Sequence, residues 1–113
     1  MPYIDITTNR PIPKETETAL KKTLGQAIEI IPRKSENWLM CAFHGDENIC
    51  FRGDYESAAY VEVKLFGTIT NETSALFTAQ ITKILGMELE IPPDRIYVSY
   101  FTTPNWGWSG KNF

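Results

Sequence analysis

Two cysteines and one histidine in 113 residues exclude much before any motif is read. Cys41 and Cys50 have eight residues between them, which is neither a metal-ligand spacing nor a disulfide framework. Both flank apolar residues, so buried, reduced thiols are expected. His44 alone offers little to a catalytic triad or a histidine metal centre, and a metal site is not expected. Long apolar runs are also missing. None approaches the ~18 residues of a membrane span, and no charged-then-apolar opening reads as a secretion signal, so the cytoplasm is the expected compartment. Basic charge is scarce and scattered: 11 Lys and Arg stand against 14 Asp and Glu, a net of −3. A surface that tracks phosphates, and with it a nucleic-acid partner, is not expected.

What is present is ordinary globular usage, 42% hydrophobic and 22% charged, over the length of one domain spanning residues 1–113. Tyr3 to Thr7 alternates, with Ile4 and Ile6 on one side and Tyr3, Asp5 and Thr7 on the other, as a half-buried strand does. From Pro13 the period changes. Leu20, Leu24, Ala27 and Ile31 form a helical stripe, Pro13, Glu15 and Glu17 suit its first turn, and Pro32 blocks its continuation. The run "WLMCAF" (38–43) then reads as a strand buried on both faces.

The second half repeats this plan. "AYVEVKLF" (59–66) alternates, Phe77, Ile81, Ile84 and Leu85 are helically spaced behind a cap at Asn71, and "RIYVSYF" (95–101) is another strand. "PYIDIT" (2–7) aligns with "AYVEVK" (59–64) at a shift of 57, and "WLMCAF" with "IYVSYF" (96–101) at 58, which indicates an internal repeat. Two pseudo-symmetric β-α-β units are expected to form an α+β two-layer fold: a four-stranded mixed sheet with both helices on one face, plus short edge strands. The uncovered face carries aromatics and is expected to find a partner copy. "ICFRG" (49–53) reads as a brief strand. "WGW" (106–108) with Phe113 forms an aromatic tail that should pack on a neighbour or a pocket wall.

The opening "MPYIDI" carries the chemistry. Proline at position 2 permits enzymatic removal of Met1, after which Pro2 is a free secondary amine on a rigid strand. A terminal amine titrates near 7.7–8.0 in model peptides and lower in an apolar site, which gives a base poised near neutral pH. The repeat carries Ala59 where the first unit carries Pro2, so the sheet does not itself require proline there.

"MPYIDITTN", Lys34 and Trp38 after the first helix, "VEVKLFG" (61–67), "PPDRIYVSYF" (92–101) and "NWGWSGKNF" (105–113) together resemble the macrophage migration inhibitory factor family of the tautomerase superfamily, from end to end. The resemblance implies a homotrimer with active sites between subunits and cofactor-free keto–enol tautomerisation of small 2-oxo acids such as phenylpyruvate. It implies Pro2 as the catalytic base and Lys34 as the holder of the substrate carboxylate, with Arg33 as the rival. It places Val63 where a backbone N–H binds substrate, and Tyr97 where the adjacent subunit contributes a tyrosine. Ser99 replaces an asparagine common in the family. Trp38, Trp106, Trp108 and Phe113 fall at the hydrophobic wall and rim, and Tyr3 beside Pro2. The Cys-x-x-Cys of the mammalian cytokine reads "SAAY" (57–60) here, so its thiol-redox activity is not expected. Two further readings follow from the same resemblance: a cytokine-like binding protein with a vestigial pocket, released without a signal peptide to meet a receptor or host protein, and a hydratase or dehalogenase of small unsaturated acids.

Overall fold

Both periodicities read from the sequence recur in the computed structural model, which describes residues 1–113. Strand β1 (Pro2–Thr8) leads to helix α1 (Lys14–Ala27) and strand β2 (Met40–His44); strand β3 (Ala59–Phe66) leads to helix α2 (Asn71–Leu89) and strand β4 (Ile96–Thr103). The sheet order is β2-β1-β3-β4. Each unit pairs its own strands in parallel, and the two units meet antiparallel at β1 and β3. A short hairpin, β5 (Gly107–Trp108) and β6 (Lys111–Asn112), closes the chain.

Ile4, Ile6, Val61, Val63 and Leu65 point to one face of the sheet, where they pack with Leu20, Leu24, Ile28, Phe77, Ile81 and Leu85 from both helices in a single core. That is the expected two-layer architecture with both helices on one face. The repeat extends further than the strands. Leu20, Leu24, Ala27 and Ile28 are buried, and so are Phe77, Ile81, Ile84 and Leu85, each 57 positions later. The helices also start 57 apart, at Lys14 and Asn71.

Several expectations are corrected. The shift of 58 between β2 and β4 is 57 in space, because Tyr3 faces Met40 and Tyr60 faces Tyr97, a step of 37 in both units (40−3 and 97−60). A slip of one residue would turn every side chain to the other face, and the core fixes the choice by taking Cys41 and Phe43 in one unit and Val98 and Tyr100 in the other. The apolar run at 38–43 is not buried on both faces: β2 is an edge strand, Met40 is 67% exposed, and Trp38 lies in a 3-10 turn before it. The stripe to Ile31 is not one helix, since α1 stops at Ala27 and a 3-10 turn covers Ile28–Ile30. The cap of α2 is Thr70, whose Oγ1 accepts from Thr73 N–H at 3.1 Å, with Asn71 already inside the helix. Cys50 is exposed and Cys41 half-buried, because the first lies in a surface loop and the second on the edge strand. The brief strand at 49–53 is a tight hairpin, in which Phe51 and Asp54 exchange hydrogen bonds across Arg52 and Gly53, both with positive φ.

No helix is long and apolar enough to cross a membrane.

Candidate active site

The first unit leaves its helix five residues earlier than the second (27+57 is 84, against an end at Leu89), and the chain so released lines a cavity. Pro32 and Arg33 form the corner of a turn in which Lys34 N–H donates to Ile31 C=O at 3.1 Å, with Arg33 in the left-handed region at φ 65°. Proline followed by a positive φ is the type II pattern. The turn sends Lys34 back toward the sheet, where its Nζ donates to Phe66 C=O at 2.9 Å. The loop continues across α1 at Gly25, where a Cβ would run into the Glu36 carboxylate.

The residue beside Lys34 is Met1. Its carbonyl accepts from Phe66 N–H at 3.1 Å, extending the ladder one step beyond Pro2, which is buried opposite Leu65. The Met1 amine is lowered from 8.0 to about 6, first by burial and then by the charge and hydrogen bonding of Lys34. Met1, Lys34, Arg33, Trp38, Phe66 and Phe113 line a cavity of about 540 Å³. Its wall is aromatic. Trp38 meets Trp108 edge to face at 5.0 Å between centroids, Trp108 stacks on Phe113 at 6.0 Å, and Phe113 tilts on Phe66 at 5.6 Å. The tail is tied by Phe113 N–H donating to Trp106 C=O at 3.0 Å, so the expected packing of the aromatic tail is met on this wall.

Lys34, Trp38 and Phe113 therefore line one cavity, with Trp108 on its aromatic wall, Trp106 joined through the backbone, and Pro2 buried one residue behind Met1. The other sequence-named residues lie elsewhere in the chain. Val63 is fully buried on the helix side of β3, opposite Ile4, and takes no part in the cavity. Tyr3 lies on the open face, its hydroxyl 3.4 Å from Asp5 Oδ2 and its ring 5.7 Å from Lys64 Nζ; burial, then Asp5, pushes its phenol up. Ser99 Oγ lies 2.7 Å from the Tyr60 hydroxyl. Tyr97 is opposite Tyr60 on one side of β3, while Pro2 is opposite Leu65 on the other, so the two are offset by five steps, roughly 16 Å along the strand at about 3.3 Å per residue, and by two strand spacings across it.

His44 Nε2 lies 2.9 Å from Asp5 Oδ1 on the open face, but that buried oxygen receives no well-directed hydrogen bond, so the contact is one of proximity. No group of three or more His, Cys, Asp or Glu side chains converges as metal ligands would. Burial, then Glu36, pushes the Cys41 thiol up to about 11, which keeps it an unreactive thiol.

Sequence reasoning missed Phe66, whose main chain touches both Met1 and Lys34. Its position beside the N-terminus follows from the antiparallel β1–β3 register, for which the sequence carries no local signal.

Two β-α-β units sharing one core, with both helices on one face of a four-stranded mixed sheet, are the architecture of the tautomerase fold. The family model described as macrophage migration inhibitory factor matches residues 1–113, and the chain belongs to that family. It is 26% identical to the macrophage migration inhibitory factor of Meriones unguiculatus, over all of this chain and 99% of that protein. It is 27% identical to the homologue of Wuchereria bancrofti, over 87% and 84%. Among solved structures it resembles MIF2 of Leishmania major, with a TM-score of 0.94 at 30% identity over 100% and 97% of the two chains. It also resembles the homologue from Prochlorococcus marinus, with a TM-score of 0.84 at 26% identity over 98% of each.

Proposed function

We propose that this chain is a cofactor-independent keto–enol tautomerase of phenylpyruvate-like 2-oxo acids, with the Pro2 amine, freed by removal of Met1, as general acid and base. The observation that carries the reading is the pair of contacts at Phe66. The Met1 carbonyl occupies Phe66 N–H, and Lys34 Nζ stands on Phe66 C=O, so loss of Met1 leaves a secondary amine, a backbone donor and an ammonium at one aromatic cavity. Pro2 is itself buried, and burial disfavours the charged form of an amine freed there.

In this mechanism Lys34 holds the substrate carboxylate and the aromatic wall takes the aryl group. Pro2 nitrogen removes a proton from the carbon next to the carbonyl, the electron pair moves to form the enolate, and the proton returns to the enolate oxygen. The reverse transfer regenerates the ketone. Phe66 N–H fits the backbone donor that the family resemblance implies better than Val63 does, because it is the amide beside the N-terminus. Lys34 fits the carboxylate role better than Arg33, which is exposed at the mouth. Tyr97 and Ser99 reach a site only from a second copy of the chain, so the reading includes a homotrimer with sites between subunits, acting in the cytoplasm.

A general base is worth about 10²–10⁴-fold. Chain that keeps Met1, verified by intact mass, should lose phenylpyruvate turnover on that scale relative to chain that begins at Pro2, and Pro2→Gly, which keeps an amine but loses the ring, should fall between them. Equal turnover in all three would sink the reading.

A further inference from the structure

Arg95, in the "PDRIY" stretch, is the only charged residue the fold buries, and the proposed chemistry gives it no role. Its guanidinium is spent on one loop. Nε donates to Ser57 C=O at 2.7 Å, and Nη2 donates to Asp54 Oδ1 at 2.8 Å, Glu56 C=O at 3.0 Å and Phe51 C=O at 3.4 Å. It also lies over the Phe51 ring, 5.1 Å from the centroid. Phe51 is fixed from a second direction by the tight hairpin. Its N–H and C=O both bond Asp54, at 2.9 and 3.1 Å, around Arg52 and Gly53 at φ 54° and 79°, the type I′ pattern. A third tie joins the hairpin tip to the 3-10 turn Pro93–Arg95 that carries Arg95, through Arg52 Nη1 donating to Asp94 Oδ2 at 2.9 Å.

What all this fixes is a ring that faces Tyr97. The Phe51 and Tyr97 centroids are 5.1 Å apart at 76°, the edge-to-face arrangement aromatic pairs prefer. Tyr97 itself is 61% exposed on the open face of the sheet, where an unsupported side chain samples several rotamers. A group that must meet substrate held in another copy of the chain has to be held before that copy arrives.

We propose that Phe51 is the positioning residue for Tyr97, and that Arg95 serves the site at one remove by locking the hairpin that presents Phe51. The inference rests on the reading above in which Tyr97 serves the neighbouring site. It explains why an arginine is buried next to the start of β4: its fork satisfies three loop carbonyls and a carboxylate that a lysine could not reach together.

The test is steady-state turnover of phenylpyruvate by the full chain as Phe51→Leu, Phe51→Tyr, Tyr97→Ala and the double variant Phe51→Leu with Tyr97→Ala, alongside the Tyr97 ring-proton resonances. Misplacing a contact by a fraction of an ångström to one ångström costs roughly ten- to a hundredfold. Phe51→Leu should therefore lower kcat/KM about tenfold with oligomer size unchanged, while Phe51→Tyr, which keeps the ring, restores it. The Tyr97 ring protons should shift in Phe51→Leu as the ring current is lost, and Phe51→Leu should cost nothing further once Tyr97 is Ala. An additive loss in the double variant, or Tyr97 resonances unmoved by Phe51→Leu, overturns the positioning role. Turnover untouched by Tyr97→Ala removes Tyr97 from the site and this inference with it. A damaged Tyr97→Ala beside an intact Phe51→Leu removes the inference alone.

Discussion

The two β-α-β units hold the same core and diverge where the chain leaves it. Leu20 and Phe77, Leu24 and Ile81, Ile28 and Leu85 occupy equivalent buried positions, and both units step 37 residues from one strand to its partner. Yet α2 runs on to Leu89 and returns to its strand through residues 90–95, whereas α1 stops at Ala27 and spends residues 28–39 on a loop that carries Lys34 and Trp38. Residue 34 of the first unit is a half-buried cation at a cavity; residue 91, 57 further on, is a buried isoleucine. Burial constrains what the units share, and the places released from burial are where they could acquire chemistry.

If that division is right, the two halves should fail together when the core is cut. Phe77→Ala should cost about 3–5 kcal/mol and Leu20→Ala about 2–5 kcal/mol, each with a single unfolding transition in urea, because both side chains sit in one cluster. Two separate transitions would show that the units fold independently. The equivalence should break at position 34. Lys34→Met should raise KM for phenylpyruvate about tenfold or more, the scale of a lost bond to a charged group, with stability nearly unchanged. Ile91→Ala should do the opposite, destabilising the chain while KM holds.

The helix starts differ more gently. Thr70 caps α2 through its side chain, while Pro13, its equivalent, makes no such bond at α1. Thr70→Ala should therefore cost about 1 kcal/mol in chemical denaturation, and Pro13→Ala should lose no capping bond. The smallest effect is at the terminus. The Met1 amine is lowered from 8.0 to about 6, so between those values the unfolded chain binds more protons and stability rises with pH. Because solvent reaches much of the group, the rise from pH 6 to pH 8 should be no more than about 1 kcal/mol. N-acetylated Met1 chain should lack it, and an equal rise after acetylation would assign the effect to other groups.

The outcome of the hairpin at 51–54 shows what local reading misses. "ICFRG" has the apolar content of a strand, but Gly53 and the left-handed Arg52 turn the chain back at once, and part of what holds Phe51 in place comes from Arg95, some forty positions away in sequence. Phe66 is a similar case. Its alternation marks it as strand, and nothing nearby in sequence says that its amide would lie against Met1. "WLMCAF" misled in the other direction, since a continuous apolar run reads as burial on both faces whether the strand is central or, as here, at the edge with Met40 outward.

The sequence alone determined the strand and helix periods, the repeat, the two-layer class and the prominence of Pro2, because each depends on spacing within a short stretch. The tertiary structure decided the register of 57, the place of Phe66 beside Met1, the separation of Tyr97 from Pro2 and the burial of Arg95. Those depend on which distant backbones hydrogen-bond, and that is settled by packing the whole core at once.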